Sequence, residues 1–472
     1  MPTTAEAAAG YTDLMVACRD GKADAVATQL EAGAAVDARN VKGSTSLIVA
    51  SAGGRTDCVA LLLAAKAEVD ATNAGGLTAL MAAAAGGSTE TVTALMAAGA
   101  NTESATPSGV TSLILATQTG QRETVGALLA AGADANALTA DGNTSLIFAC
   151  SSGRAAIAAM LAAGGANVDA ITADTSSALM LASATGDTAT VDALLAANAD
   201  VNFSGKHGVT ALMLAARGGH FEAAARLCEA GALSGVKNGE GVTALLLATD
   251  SATITALLTA PDCSAALEAT DEDGSTALML ASGRGDASTA AQLIAAGAAV
   301  EATNSRGWTA LMFGCQGYSL ETVDALLNAG AAVDATSSDG VTSLLVASAN
   351  GNAAAVASLL QHQAVIEQAD AEGRRSLMLA AIAGSTECVA LLLESGASVD
   401  AAAPDGWRSA MFAEARGDEV GKEMLAMLLA AGAAELTETE SALVVGFTEE
   451  EAKRALQAVA EAQARDGGAQ AS

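Results

Sequence analysis

Eleven glycines of this chain stand on one ladder with a spacing of 33 residues: Gly43, Gly76, Gly109, Gly142, Gly208, Gly241, Gly274, Gly307, Gly340, Gly373 and Gly406. Gly10 extends the ladder backwards, and Thr175 fills the one missing rung. A fixed period of this length means copies of one supersecondary unit, each too small to bury its own apolar face. Such copies stack and share a continuous core, which excludes a globule folded round a single centre. Thirteen repeats, nominally residues 8 to 436, take up most of the 472-residue chain.

The text inside a repeat predicts its local structure. Gly76-Leu77-Thr78-Ala79-Leu80-Met81 opens one repeat, and Gly208-Val209-Thr210-Ala211-Leu212-Met213 opens another. The Thr stands where a helix starts, and its hydroxyl can satisfy one of the N–H groups left over there. Leu80, Ala83 and Ala84 follow at i, i+3 and i+4, the spacing of one buried helical stripe. Gly87 breaks this first helix. Val92, Leu95 and Met96 form a second stripe, and Gly99 reads as the left-handed residue that closes it. About nine residues of loop or extended chain then lead to the next repeat.

This pattern resembles the ankyrin-repeat family, whose period is 33 and whose repeats carry a Thr-Pro-Leu-His signature. The resemblance implies an all-α fold, an ankyrin-type α-solenoid of stacked helix-turn-helix units with projecting finger loops. In this chain the Pro and His are replaced almost throughout by Ala or Ser and by Met, Ile or Leu, as in Thr111-Ser112-Leu113-Ile114. Losing Pro at the first helical position forfeits some preorganisation. Losing His removes a polar cross-link between repeats, and added apolar contact is expected in its place.

Three repeats depart from the common text. The one at 239–271 has Ala252 where the mid-repeat glycine belongs, an early Leu257-Leu258 pair, and Pro261-Asp262 ending its second helix before a lengthened loop. The repeat from 305 carries Gly314 inside its first helix, at about 1 kcal/mol against Ala, and Tyr318 in its turn. The last repeat gains about three residues around Glu419-Val420-Gly421.

Composition excludes several functions. With 22 basic against 53 acidic side chains the formal charge is −31, and a phosphate backbone needs clustered Lys and Arg, so nucleic acid is not an expected partner. The acidity predicts a protein partner with a basic surface. Only 2% of residues are aromatic, which points to close helix packing through alanine. No run of about 18 apolar residues exists, so no membrane span is expected. Met1-Pro2-Thr3-Thr4-Ala5-Glu6 lacks the basic start and apolar run of a signal peptide. Seven cysteines, sparse and odd in number, do not make a disulfide framework, and the expected compartment is the cytoplasm or nucleus.

No catalytic, metal or cofactor site is predicted. Cys18, Cys150 and Cys315 share one slot of three first helices, and Cys58 and Cys388 share a slot in second helices; equivalent slots of distant repeats cannot converge on zinc. His207, His220 and His362 are scattered. Asp37, Asp70, Glu103, Asp169, Glu268, Glu301, Asp334, Glu367 and Asp400 form a column that Asn136 and Asn202 join. One repeat apart is too far for paired catalytic carboxylates, so short polar residues at the base of a turn are expected.

The function expected is therefore a non-enzymatic protein-interaction scaffold. By the resemblance, partners are gripped by finger tips and by the ends of the first helices. Most residues there are small, polar or acidic; the densest exceptions are Arg306, Trp308, Arg374 and Trp407 on the fingers, with Arg284 and Arg416 on the helix ends. Interface energy concentrates in Trp and Arg, so these six are the predicted partner-binding residues; the alternative is that each Trp packs locally over its neighbouring finger.

Residues 437–465 read as helices that cap the solenoid, after a short lead at 1–7 and before a disordered tail at 466–472. Thr448-Glu449-Glu450-Glu451 is a capping-box arrangement, and Ser441 to Val459 resembles the front of a ubiquitin-associated domain. That resemblance implies an alternative function, a ubiquitin-pathway adaptor whose repeats select a client.

Overall fold

The computed structural model describes residues 9 to 444. Its chain divides into two compact units, Met1–Leu233 and Ser234–Ser472. Each is an all-α ankyrin-type stack of helix-turn-helix repeats.

Most repeats start as their threonine predicts, while the last two carry Arg375 and Arg408 in that slot and no side-chain cap. Thr78 is extended at φ −90° and ψ 169°, and its hydroxyl accepts from the Met81 N–H. The same bond forms at Thr12, Thr45, Thr111, Thr144, Ser177 and Thr210 in the N-terminal unit. In the C-terminal unit Thr243, Thr276, Thr309 and Thr342 make it. Each cap stabilises its helix by about 1 kcal/mol. Gly87 ends the helix Ala79–Gly86 at φ 71°, a conformation open to glycine, and its N–H returns to the Ala83 and Ala84 carbonyls. The helix Thr89–Ala97 comes next. The slot in which the family carries His is filled by Met81, Ile114, Ile147, Met180, Met279, Met312 and their equivalents, all buried, so apolar contact does replace the polar cross-link.

In the N-terminal unit the first helices Asp13–Asp20, Ser46–Ala52, Ala79–Gly86, Ser112–Thr119, Ser145–Ser151, Ala178–Thr185 and Ala211–Arg217 lie side by side, each against the next. The second helices form a parallel row behind them. The C-terminal unit repeats this layering from Ala277–Gly283 to Ser409–Arg416. Between repeats the fingers are hairpins closed by single backbone bridges, such as Ala105 to Thr111 and Thr303 to Thr309.

The irregular repeats differ for local reasons. In the repeat at 239–271 the first helix shrinks to Ala244–Leu247 and the second is Ser251–Leu257. After Pro261-Asp262 the chain forms a third short helix, Cys263–Leu267, in place of the expected loop. Asp262 holds it down, accepting from the backbone N–H groups of Ser234 at 2.7 Å and Gly235 at 2.8 Å. Tyr318 sits at φ 56° in the slot that glycine fills in most repeats, which costs about 1–2 kcal/mol. Its ring is 70% exposed, and its hydroxyl donates to the Asn350 carbonyl at 3.3 Å. The last repeat uses its extra residues to lengthen its second helix, Glu419–Ala430.

A further helix, Glu438–Val444, packs against Ser409–Arg416. The capping box at Thr448–Glu451, the rest of the ubiquitin-associated resemblance beyond Val444, the lead at 1–7 and the tail at 466–472 lie outside the described residues.

Candidate functional site: the fingers and the open face of the first helices

The polar column does more than serve its own turns. Asp70 Oδ1 accepts from the Asn101 N–H at 3.0 Å, Glu103 from Asp134 at 3.1 Å, Asn136 from Asn167 at 2.7 Å and Asp169 from Asp200 at 2.9 Å. Glu301, Asp334 and Glu367 do the same in the C-terminal unit. Each side chain therefore staples its repeat to the next. The signal was in the sequence: nearly every member can accept a hydrogen bond, and none is Lys or Arg. The tips are held as well. Asn73 Oδ1 accepts from Gly75 at 2.9 Å and Leu77 at 3.0 Å, and Asn304 serves Arg306 and Trp308 in the same way. Neighbouring tips are tied by backbone bonds such as Ala140 N–H to the Ser108 carbonyl and Ser338 N–H to the Arg306 carbonyl. Asp70→Ala should lower stability by about 1 kcal/mol, read as a shift in urea midpoint, whereas Asp70→Asn keeps the acceptor and should restore most of it.

The six predicted recognition residues separate into two groups. Trp308 is only 2% exposed and meets the Phe313 ring edge-on, centroids 5.6 Å apart. Arg374 is 8% exposed; its Nε bonds the buried Asp370 carboxylate at 2.7 Å, and a second nitrogen pairs with Glu372 at 2.7 Å. Both point into the protein, Trp308 against the Phe313 ring and Arg374 against the Asp370 carboxylate. Trp407 lies tilted over Phe412 at 4.8 Å and keeps one part in solvent. Arg306 is half-buried at its finger tip, and Arg284 is exposed at the end of Ala277–Gly283. Arg416 reaches back to the Ile382 carbonyl at 3.1 Å and to Asp418 at 3.1 Å, tying its repeat to the preceding helix end. Arg55 does this toward Arg19, Arg154 toward Thr117, and His220 toward Ala184.

A second surface emerges only from the structure. The fourth residue after each capping Thr or Ser forms a column: Val16, Val49, Ala82, Leu115, Phe148, Leu181 and Leu214 in the N-terminal unit. Apart from buried Ala82, these are half-buried, while the residues on either side are buried. With the positions three and four further on, such as Ser151 and Ser152 or Ala184 and Thr185, they make the solvent face of the first helices. In the last repeats of the C-terminal unit the same column, Phe313, Val346, Leu379 and Phe412, is buried. The finger residue after the ladder position is Trp308, Val341, Arg374 or Trp407 where the column is closed, and Val110, Asn143, Ser176 or Val209 where it stays open, so valine occurs in both sets.

Six of the seven cysteines are buried. Burial pushes the thiols of Cys18, Cys150 and Cys315 up to about 12, far from the range in which a thiolate forms near neutral pH. Among the described residues no three His, Cys, Asp or Glu side chains converge on a metal-sized site, and no helix is long and apolar enough to cross a membrane.

Rows of stacked helix pairs with stapled fingers define a repeat protein that displays a surface. The model of ankyrin repeats in three copies matches residues 14–106, 65–139, 86–172, 113–205, 179–264, 250–337 and 315–403. These stretches overlap without a gap, and the chain belongs to the ankyrin-repeat family, whose members serve as protein-interaction scaffolds. The crystal structure of the human ASB11 ankyrin repeat domain is 26% identical, covering 44% of this chain and 92% of that one, with a TM-score of 0.41. No curated protein sequence matches the chain.

Proposed function

We propose that the chain is a non-enzymatic scaffold that holds a protein partner with a basic surface along its finger tips. One observation carries this reading. The tip residue just before the ladder position is exposed and acidic at Asp141 and Asp174 in the N-terminal unit, where Thr175 replaces the glycine after Asp174, and at Glu240, Asp273, Asp339 and Asp405 in the C-terminal unit. The staples and tip bonds fix these carboxylates in place before binding, so little ordering entropy is lost on the scaffold's side. Acidic tips speed encounter with a basic partner and make it sensitive to salt, since exposed charges are screened beyond roughly 8 Å at physiological ionic strength. Arg284, Arg306, Trp407 and Arg416 form the non-acidic part of this surface, while Trp308 and Arg374 support it from inside. Affinity capture from source lysate with the full chain as bait tests the reading. A partner should be retained at low salt and released at high salt, and Arg306→Ala/Trp407→Ala should weaken retention. Retention that ignores salt would sink the basic-partner reading.

A further inference from the structure

Asn-Gly links occur twice among the described residues, at Asn238-Gly239 and Asn350-Gly351, and their surroundings differ. Asn238 lies in the finger that carries Gly241. Its side chain folds back over the tip, and Oδ1 accepts from the Glu240 N–H at 3.0 Å and the Val242 N–H at 2.8 Å. Gly239 is exposed, and its N–H has no partner among the described residues. Asn350 instead ends the helix Ser343–Ala349, and the Gly351 N–H donates to the Ser348 carbonyl at 3.1 Å. At other tips the same Asn slot is followed by Val41, Ala74 or Ser305, whose N–H groups donate to the preceding finger. In the Asp-Gly links, Gly142, Gly274, Gly340 and Gly406 each donate to the carbonyl three residues back.

We propose that Asn238 is a site of spontaneous deamidation, with the Gly239 nitrogen as nucleophile and water as co-reactant. The nitrogen attacks Asn238 Cγ, and negative charge gathers on Oδ1, where two N–H groups already point at hydrogen-bond distance. Glycine has no Cβ to shield the attack. As the N–Cγ bond forms, the Cγ–Nδ2 bond breaks, and the amide group leaves as ammonia with the proton shed by Gly239. Water then opens the succinimide ring at one carbonyl or the other, giving aspartate or isoaspartate. Either product adds a negative charge beside exposed Glu240. Their effects on the finger differ. Aspartate fits, because Asp271 fills the equivalent slot of the next repeat and accepts from the Asp273 and Ser275 N–H groups in the same way. Isoaspartate routes the main chain through the former side-chain carbonyl. That lengthens the backbone by one carbon and removes the acceptor that held Glu240 and Val242.

The test incubates the full chain in mildly alkaline buffer, where the attacking nitrogen sheds its proton more readily, and maps its peptides by mass spectrometry. Asn238 should convert at least about tenfold faster than Asn350, whose glycine must first give up a hydrogen bond. Gly239→Ala should slow conversion at least about tenfold. Val41, Ala74 and Ser305 fill that slot in other repeats, so this variant keeps the finger intact. Asn238→Asp, the direct product, should retain the native urea midpoint. The fraction that carries isoaspartate should exchange amide hydrogens faster over residues 240–247, which span the freed tip and the helix Ala244–Leu247. Equal conversion at the two links, no conversion at Asn238, or undiminished conversion in Gly239→Ala overturns the proposal.

Discussion

Trp308→Ala will destabilise the C-terminal unit by about 3–5 kcal/mol, the range for emptying a large aromatic site in a core. Trp308 is among the largest fully enclosed side chains of the protein, 2% exposed, with Phe313 edge-on beside it. Its backbone closes the finger as well: Asn304 N–H donates to the Trp308 carbonyl, and Trp308 N–H donates to Asn304 Oδ1 at 2.9 Å. Truncation would leave a void that a stapled finger cannot collapse to fill. Because the chain has two tryptophans, the variant leaves Trp407 as the lone indole reporter for urea unfolding. Stacked repeats lose stability locally, so hydrogen exchange should accelerate around residues 304–316 and stay unchanged around 112–119. Trp407→Ala, whose ring is partly in solvent, should cost less. A loss under about 1 kcal/mol for Trp308→Ala would show that the indole does not hold the core, and would return it to the candidates for partner contact.

That contrast marks what the sequence could and could not reveal. Period, helix starts and helix ends were legible because each depends on one residue in one slot: Thr78 with a hydroxyl oxygen that accepts a hydrogen bond, Gly87 with a left-handed φ. The direction of a finger side chain depends on a pair instead. Trp308 turns inward because Phe313, five residues on, offers an aromatic surface, and Arg374 turns inward because Asp370 is buried beside it. The staple column was visible as a set of residues but not as a bond, since its donor lies 31 residues further along the chain. The open apolar column was hidden by its neighbours. Leu113-Ile114-Leu115 and Leu146-Ile147-Phe148 read as continuous buried runs, and only the burial of each residue separates the third from the first two.

Arg408→Ala will release the helix Glu438–Val444 from the end of the C-terminal unit. Arg408, like Arg375 in the repeat before, takes the slot where most earlier repeats carry a capping Thr, so the helix Ser409–Arg416 starts without a side-chain cap. In exchange its guanidinium, nearly enclosed, bonds Asp400 at 2.7 Å, the Ala434 carbonyl at 2.8 Å, the Glu435 carbonyl at 3.2 Å and both oxygens of Glu440 at 3.1 and 3.2 Å. One side chain thus ties the last finger, the turn after the last repeat and the final described helix. Those bonds from Arg408, with further ones from Thr437, hold the Glu440 carboxyl down at about 2 against an ordinary value of 4.5. A carboxyl depressed in the folded state stabilises fully above its ordinary value and loses that contribution as pH falls toward the lowered one. The helix should therefore stay docked at pH 5, begin to loosen below about 4.5 and be released near pH 2. Pepsin, active across the acid range, reads this directly as cleavage between residues 434 and 444. Arg408→Ala should be cut at pH 4 as readily as the native chain is at pH 2, and Glu440→Gln should remove most of the pH dependence while leaving the two carbonyl bonds. Equal cleavage of native and Arg408→Ala chains at pH 4 would mean that burial of Val444, rather than the arginine, keeps the helix in place.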